Sequence, residues 1–148
     1  SAASDVYKRQ VIFTDKGIQF FSTRVETSPE LVSQIPIEEN IRSITYAQDK
    51  VGIVTDNVEG GDPYKLRIYD REGSPVFEKT FNYQYTGFDI DGDLVLLYND
   101  SSCKVYNMTG TEKYNGTFDF TVSKVSAGRF PGTLLVMGPQ KMTEIKLQ

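Results

Sequence analysis

Histidine and tryptophan are absent from this chain, and cysteine occurs once, as Cys103. Without histidine, the sequence has no Ser-His-Asp triad, no Cys-His pair and no His-ligated zinc or iron site. A single cysteine excludes an internal disulfide and a multi-cysteine metal cage. Cys103 is predicted to be a buried strand thiol, because its only basic neighbour is Lys104. We therefore predict no catalytic residue, no metal ligand and no cofactor.

Good helix formers are scarce, with four Ala and eight Leu against 13 Val, ten Ile and 13 Thr. Branched side chains, together with nine Tyr and nine Phe, suit a pleated surface, so the predicted fold class is all-β. No apolar run approaches the roughly 18 residues of a membrane span. The net charge is −4 and the 16 Lys and Arg are scattered, which argues against a nucleic-acid partner.

A unit of about forty residues recurs along the chain. Residues 69–73 (YDREG) return 37 positions later as residues 106–110 (YNMTG), and the Thr-Phe pair at 80–81 returns at 117–118. Several strands per unit at this period are typical of β-propeller blades, including WD40-like repeats. The boundaries are a partial unit at 11–40, full units at 41–85 and 86–120, and a partial unit at 121–148.

A four-stranded blade cannot bury both faces alone, so neighbouring units are expected to stack. We predict a partial β-propeller of about three to four blades, each a four-stranded antiparallel sheet, in an open arc of a larger ring. A β-sandwich is the alternative, but it does not require the same turn residues at the same offset in successive units.

Positions within a unit differ in pattern. Second strands are near-continuous apolar runs, such as residues 94–98 (LVLLY), which is typical of strands covered on both faces. Third strands alternate, as in residues 65–68 (KLRI), and we expect them to be more exposed. Residues 89–93 (DIDGD) could suggest a calcium loop, but we favour a hairpin turn because a calcium loop would destroy the strand at 94–98.

The first ten residues, 1–10 (SAASDVYKRQ), resemble a translated sequencing-adapter tail and are interpreted as non-native and disordered. We expect the natural protein to begin further upstream.

Four segments resemble an uncharacterised family of Gram-positive bacteria, a domain of unknown function: residues 11–17 (VIFTDKG), 66–70 (LRIYD), 90–93 (IDGD) and 143–147 (TEIKL). The resemblance covers residues 11–148. It implies a propeller-like repeat behind an N-terminal membrane anchor, and so an extracytoplasmic location, anchored at the cell surface, for the full-length protein. It implies no catalytic residues.

Three acids follow the second strands of successive units: Asp15, Asp56 and Asp100. Stacked blades would bring them to one rim, where an acidic collar could bind a cation or hydrogen-bond a sugar. Alternatively, each Asp opens its loop by bonding its own backbone. These three are the candidate binding residues.

The predicted function is a non-enzymatic repeat module that binds a protein or glycan at a bacterial cell surface. The alternative is a fragment of a propeller enzyme such as a glycoside hydrolase, in which carboxylates of this collar would act as a pair.

Overall fold

The computed structural model of the protein describes residues 7–24, 28–47 and 49–148, and within these ranges all regular structure is β-strand. The all-β prediction is confirmed. The strands form four antiparallel sheets in chain order, which is the partial propeller-like arrangement predicted from the repeats. Among the described residues there is no helix able to cross a membrane.

The two middle sheets have four strands each. The second sheet contains β4 (Ile41–Tyr46), β5 (Lys50–Asp56), β6 (Tyr64–Asp70) and β7 (Pro75–Phe81). The third sheet contains β8 (Gly87–Asp91), β9 (Leu94–Tyr98), β10 (Ser102–Asn107) and β11 (Glu112–Thr117). In both sheets each strand pairs with the next one along the chain.

The two end sheets have three strands each within the described residues. The first sheet contains β1 (Tyr7–Thr14), β2 (Gly17–Arg24) and β3 (Glu30–Pro36). The fourth sheet contains β12 (Lys124–Ala127), β13 (Thr133–Met137) and β14 (Met142–Lys146). In the positions described, β1 is equivalent to β5 and β9, while β12 is equivalent to β4 and β8.

The N-terminal boundary differs from the one assigned from sequence. Strand β1 begins at Tyr7, so residues 7–10 of the assigned tail pair with β2, with Gln10 opposite Phe21. Arg9 also forms an ion pair with Glu72 of the second sheet, at 3.2 Å. Residues 7–10 therefore belong to the first sheet, because ladder bonds and this ion pair hold them. Residues 1–6 lie outside the described part.

Side chains pointing alternately to the two faces of each sheet build three successive cores. In β5, Val51 and Ile53 pack with the first sheet, whereas Val54 packs with the third sheet. In β9, Val95 and Leu97 face the second sheet. The intervening Leu94 and Leu96 face the fourth sheet. The second strands of the two middle sheets are thus buried on both faces, as their apolar runs predict.

The third strands are more buried than their alternation predicts. In β6, Lys65 and Arg67 are only 8% and 9% exposed. Lys65 Nζ lies 3.0 Å from Glu78 Oε1, and Arg67 lies 2.6 Å from Glu39 Oε1. The expectation of a more exposed strand is wrong because acidic neighbours pair with these cations, which lets the strand carry charge into the interface between sheets.

Candidate functional site

The stacked sheets present two ends, which differ in their connections. The loop rim carries the connections after second strands, residues 15–16, 57–63, 99–101 and 138–141. The turn rim carries the hairpin turns 92–93 and 128–132, and the turns 71–74 and 108–111. The first strands of the second and third sheets, β4 and β8, run in the same direction. Ser43 bonds Tyr85, and the later Thr45 bonds the later Asp89.

The predicted aspartates all lie on the loop rim, after equivalent strands. Asp15 and Asp100 are exposed, whereas Asp56 is half-buried. Within residues 7–24, 28–47 and 49–148, no three His, Cys, Asp or Glu side chains come close enough to hold a metal ion. The structure thus places the three acids at corresponding positions without gathering them into a cation site.

Asp56 is partly neutralised by an arginine. Its Oδ1 accepts a hydrogen bond from Arg42 Nε at 2.6 Å, and this bond is the main reason that the pKa of Asp56 is lowered. A carboxylate held in this way has less capacity to bind a cation or to act as a general acid.

Residues beside the aspartates, rather than the aspartates themselves, order the loop-rim loops. Asn57 Nδ2 donates to the carbonyls of Gly60 and Asp62. Asn99 Oδ1 accepts from the backbone N–H groups of Ser101 and Ser102. The expected self-bonding role of Asp therefore belongs to these asparagines, whose amides can both donate and accept.

Cys103 lies in β10 and is fully buried, as predicted. Burial raises the pKa of its thiol to about 12, which keeps the thiol protonated at neutral pH. Because the thiolate is the nucleophilic form, Cys103 serves packing between the third and fourth sheets.

The DIDGD segment is a hairpin, as favoured from its sequence. Gly92 has φ +61° at the turn between β8 and β9. Asp89 accepts from the Ile90 N–H, and Asp91 Oδ2 accepts from the Ala127 N–H at 2.8 Å. These carboxylates hold the hairpin and link it to the fourth sheet.

The turn rim holds a cleft that the sequence did not predict. It has a volume of about 450 Å³ and lies between the third and fourth sheets. The side chains that give it chemical character are Asp93, Asn107, Lys113, Arg129, Phe130 and Pro131. They come from the β8–β9 turn, the β12–β13 turn and strands β10 and β11, so no local motif marks them. The only hint of the cleft in the sequence is an aromatic residue, Phe130, that follows Arg129 in the turn between β12 and β13.

Backbone bonds fix the shape of this turn. The Gly128 N–H donates to the Thr133 carbonyl at 2.9 Å, and Thr133 Oγ1 donates to the Phe130 carbonyl at 2.6 Å. The Arg129 guanidinium lies 5.9 Å from the centre of the Phe130 ring. Phe130 remains 62% exposed, so its ring is presented to solvent rather than to the core.

Lys113, Arg129 and Asp93 have no partner of opposite charge within 4.0 Å in the part of the chain that the structure describes. Among the described residues, every ion pair within 4.0 Å lies elsewhere, so Lys113, Arg129 and Asp93 are all available. Asn107 Oδ1 is occupied by the N–H groups of Thr109 and Thr111. The side chains that line the cleft include two cations and one anion, and Gln148, the last of the 148 residues, lines it as well.

A sequence profile described as "Family of unknown function (DUF5711)" matches residues 7–147. The chain belongs to DUF5711. The match begins at the first residue of β1 and ends just after β14, so all four sheets lie within it. No curated protein matches the DUF5711 chain in sequence.

Two solved structures share the fold of this DUF5711 chain. The computationally designed Ika4 protein is 8% identical with a TM-score of 0.51, covering 93% of this chain and 89% of that one. HIRA(644–1017) is 9% identical with a TM-score of 0.54, covering 96% of this chain and 54% of that one. At these identities the likeness concerns the fold alone, and this chain spans about half of the HIRA structure.

Proposed function

We propose that this DUF5711 chain is a non-enzymatic binding module of propeller repeats, which holds a protein or glycan at the turn-rim cleft. The cleft is the observation that carries the proposal. Its volume lies in the range of ligand sites, and its ionic groups are unpaired within the described residues. Strands and turns with satisfied backbone bonds support it, so binding requires little ordering of the site.

The proposed setting is the extracytoplasmic side of a bacterial cell, with the full-length protein anchored at the surface. The resemblance to an anchored bacterial family supports this setting. Protease treatment of intact cells that produce the full-length protein tests it. Rapid loss of the repeat region, with a cytoplasmic marker left intact, is the expected result.

The binding proposal is tested by capture of cell-wall glycan fractions and surface proteins on the purified 148-residue chain. Phe130→Ala should weaken capture, whereas Met142→Ala should not. The two side chains are similarly exposed, at 62% and 65%, but only Phe130 lines the cleft. Equal loss, or no loss, in both variants would remove the cleft from the proposal.

The rival function is a fragment of a propeller glycoside hydrolase using the loop-rim aspartates. Polysaccharide hydrolysis by the full-length protein, abolished in an Asp56→Asn, Asp100→Asn double variant, would establish it. The Arg42 bond to Asp56 weighs against this role, because it holds the carboxylate ionised and engaged. We expect no hydrolysis and no change of partner binding in the double variant.

A further inference from the structure

The chemistry of the turn-rim cleft specifies a class of ligand. We infer that the cleft binds a sugar unit bearing a carboxylate, an inference that rests on the proposed binding function.

The charge of the cleft calls for an anionic group. Arg129 and Lys113 converge on the cleft from the β12–β13 turn and from β11, and neither has a carboxylate within 4.0 Å among the described residues. A planar guanidinium matches a carboxylate with two parallel hydrogen bonds, and an ammonium adds a point charge. Because the chain as a whole carries a net charge of −4, Arg129 and Lys113 are the groups of this cleft that can attract an anion.

The hydrogen-bonding groups of Asp93 and Asn107 favour a ligand that also carries hydroxyls. Asp93 is an acceptor only, so it requires a donor and would repel a ligand that carried nothing but carboxylates. Asn107 can offer only its Nδ2 donor, since its Oδ1 is occupied by the turn. A hydroxyl both donates and accepts, which satisfies both residues. This combination favours an acidic sugar over an acidic peptide.

The apolar surface calls for a ring. Phe130 and Pro131 are exposed next to Arg129, and the backbone of Phe130 is held by the hydrogen bond from Thr133 Oγ1. A sugar ring laid on this aromatic face would bury its C–H surface there while its carboxylate reaches Arg129. The three requirements are met together by a uronic acid unit within an oligosaccharide.

The test is calorimetry of the 148-residue chain with three probes: tetragalacturonate, the neutral galactose tetramer and a tetraglutamate peptide. We expect tetragalacturonate to bind at least about tenfold more tightly than either of the others, and to weaken as salt rises. Arg129→Gln and Lys113→Gln should each weaken it by about tenfold or more. Lys124→Gln, at the other end of β12 and outside the cleft, should stay within about twofold.

Each other outcome overturns the inference, and the outcomes identify what failed. Equal binding of the neutral tetramer, lost in Phe130→Ala, leaves a glycan site without acid selectivity, so the proposed function survives. Tighter binding of tetraglutamate assigns the cleft to acidic peptides, again within the proposed function. Failure of all three probes with folded protein rejects the acidic sugar, while the capture experiment decides the proposed function separately. If Lys124→Gln weakens tetragalacturonate binding as much as Arg129→Gln does, the binding depends on the net charge of the chain and not on the cleft.

Discussion

Single residues set how closely the sheets approach each other. Gly73 and Gly110 occupy equivalent turns, with φ of +89° and +79°. Each faces the preceding sheet: a Cβ on Gly73 would lie 2.7 Å from Ser33 Oγ and 2.8 Å from the Phe20 ring. A Cβ on Gly110 would lie 3.1 Å from Phe77. These glycines therefore serve both the turn and the contact between sheets.

Gly73→Ala is expected to lower the free energy of unfolding by about 2–4 kcal/mol, because left-handed strain and overpacking add together. Gly60→Ala is the matched control, since Gly60 has φ +87° but open space around its Cβ position. It should cost only the strain, about 1–2 kcal/mol. Urea denaturation of both variants measures the difference. Equal losses would show that the sheet contact plays no part.

Glu39 and Arg67 form an ion pair, at 2.6 Å. Burial would raise the pKa of Glu39, but a hydrogen bond to its own backbone and the Arg67 guanidinium outweigh burial, and the pKa is lowered. The Glu39 side chain is 19% exposed, so solvent screens the pair only in part. Glu39 therefore stabilises the fold in its ionised form.

The sign of the pH dependence follows from the lowered pKa. The stabilisation is complete above about pH 4.5, the ordinary value for Glu39, and is lost as the pH falls through the lowered folded-state pKa. Glu39→Gln should cost about 1–2 kcal/mol at pH 7 and flatten this acid limb. Its exposed neighbour supplies the control, Glu38→Gln. Thermal unfolding at pH 3 to 7 measures both, and an unchanged acid limb in Glu39→Gln would refute the assignment.

At the scale of elements, the repeated turn is built by one side-chain oxygen. Asp70 Oδ1 accepts from the N–H groups of Glu72 and Ser74. Asn107 Oδ1 accepts from Thr109 and Thr111 at the same offsets. Both turns use a side-chain oxygen as the acceptor, and only Asp70 is charged. A shared acceptor therefore explains why YDREG and YNMTG form the same turn.

Exchange of these residues tests that account. Asp70→Asn should change the free energy of unfolding by less than about 0.5 kcal/mol, because the acceptor oxygen is retained. Asp70→Ala should cost about 1 kcal/mol or more, because two turn N–H groups lose their acceptor. Chemical denaturation distinguishes the two variants. A large loss in Asp70→Asn would mean that charge, rather than the acceptor, supports the turn.

For the whole molecule, coverage of the sheets is graded along the stack. The second and third sheets are packed on both faces, whereas each end sheet packs one face against a described neighbour. Exposed apolar side chains occur on the end sheets, for example Leu31 of β3 and Met142 of β14, and also on the edge strand β4 of the second sheet, at Ile44 and Tyr46. Local stability should therefore fall from the middle of the stack outward.

Hydrogen exchange of the full chain measures this gradient. Amides of β5, β6, β9 and β10 should exchange most slowly, because these strands are paired on both edges and mostly buried. Amides of the outer strands β3 and β14 should exchange fastest among the strands. If the amides of all four sheets exchange at the same rate, the sheets unfold as one cooperative unit and local stability is not graded along the stack.

Most of the fold was predictable because its signals are local. A few neighbouring residues are enough to recognise the apolar run at 94–98 and the DG hairpin at 91–92. The repeat is recognised by comparing segments 37 residues apart. The third strands were misjudged because the partners of Lys65 and Arg67 include Glu39 and Glu59, which lie in loops outside the strand. Period-2 alternation does not reveal that a charged side chain is paired.

The candidate site was not predictable in the same way. The aspartates were identified by their equivalent positions, and the structure places them on one rim. Their surroundings, such as Arg42 beside Asp56, arise only from folding. The turn-rim cleft brings together Asp93 and Arg129 from two turns and Lys113 from β11. Nothing in the spacing of these residues marks them as neighbours.

The amino-acid pattern alone decided the strand content, the turns and the repeat, because backbone preference and side-chain alternation are local properties. Tertiary structure decided which charges are paired, which are left available, and where a cleft forms between the third and fourth sheets. Those properties depend on distances between segments far apart in the chain, which the stacking of sheets sets and local sequence does not.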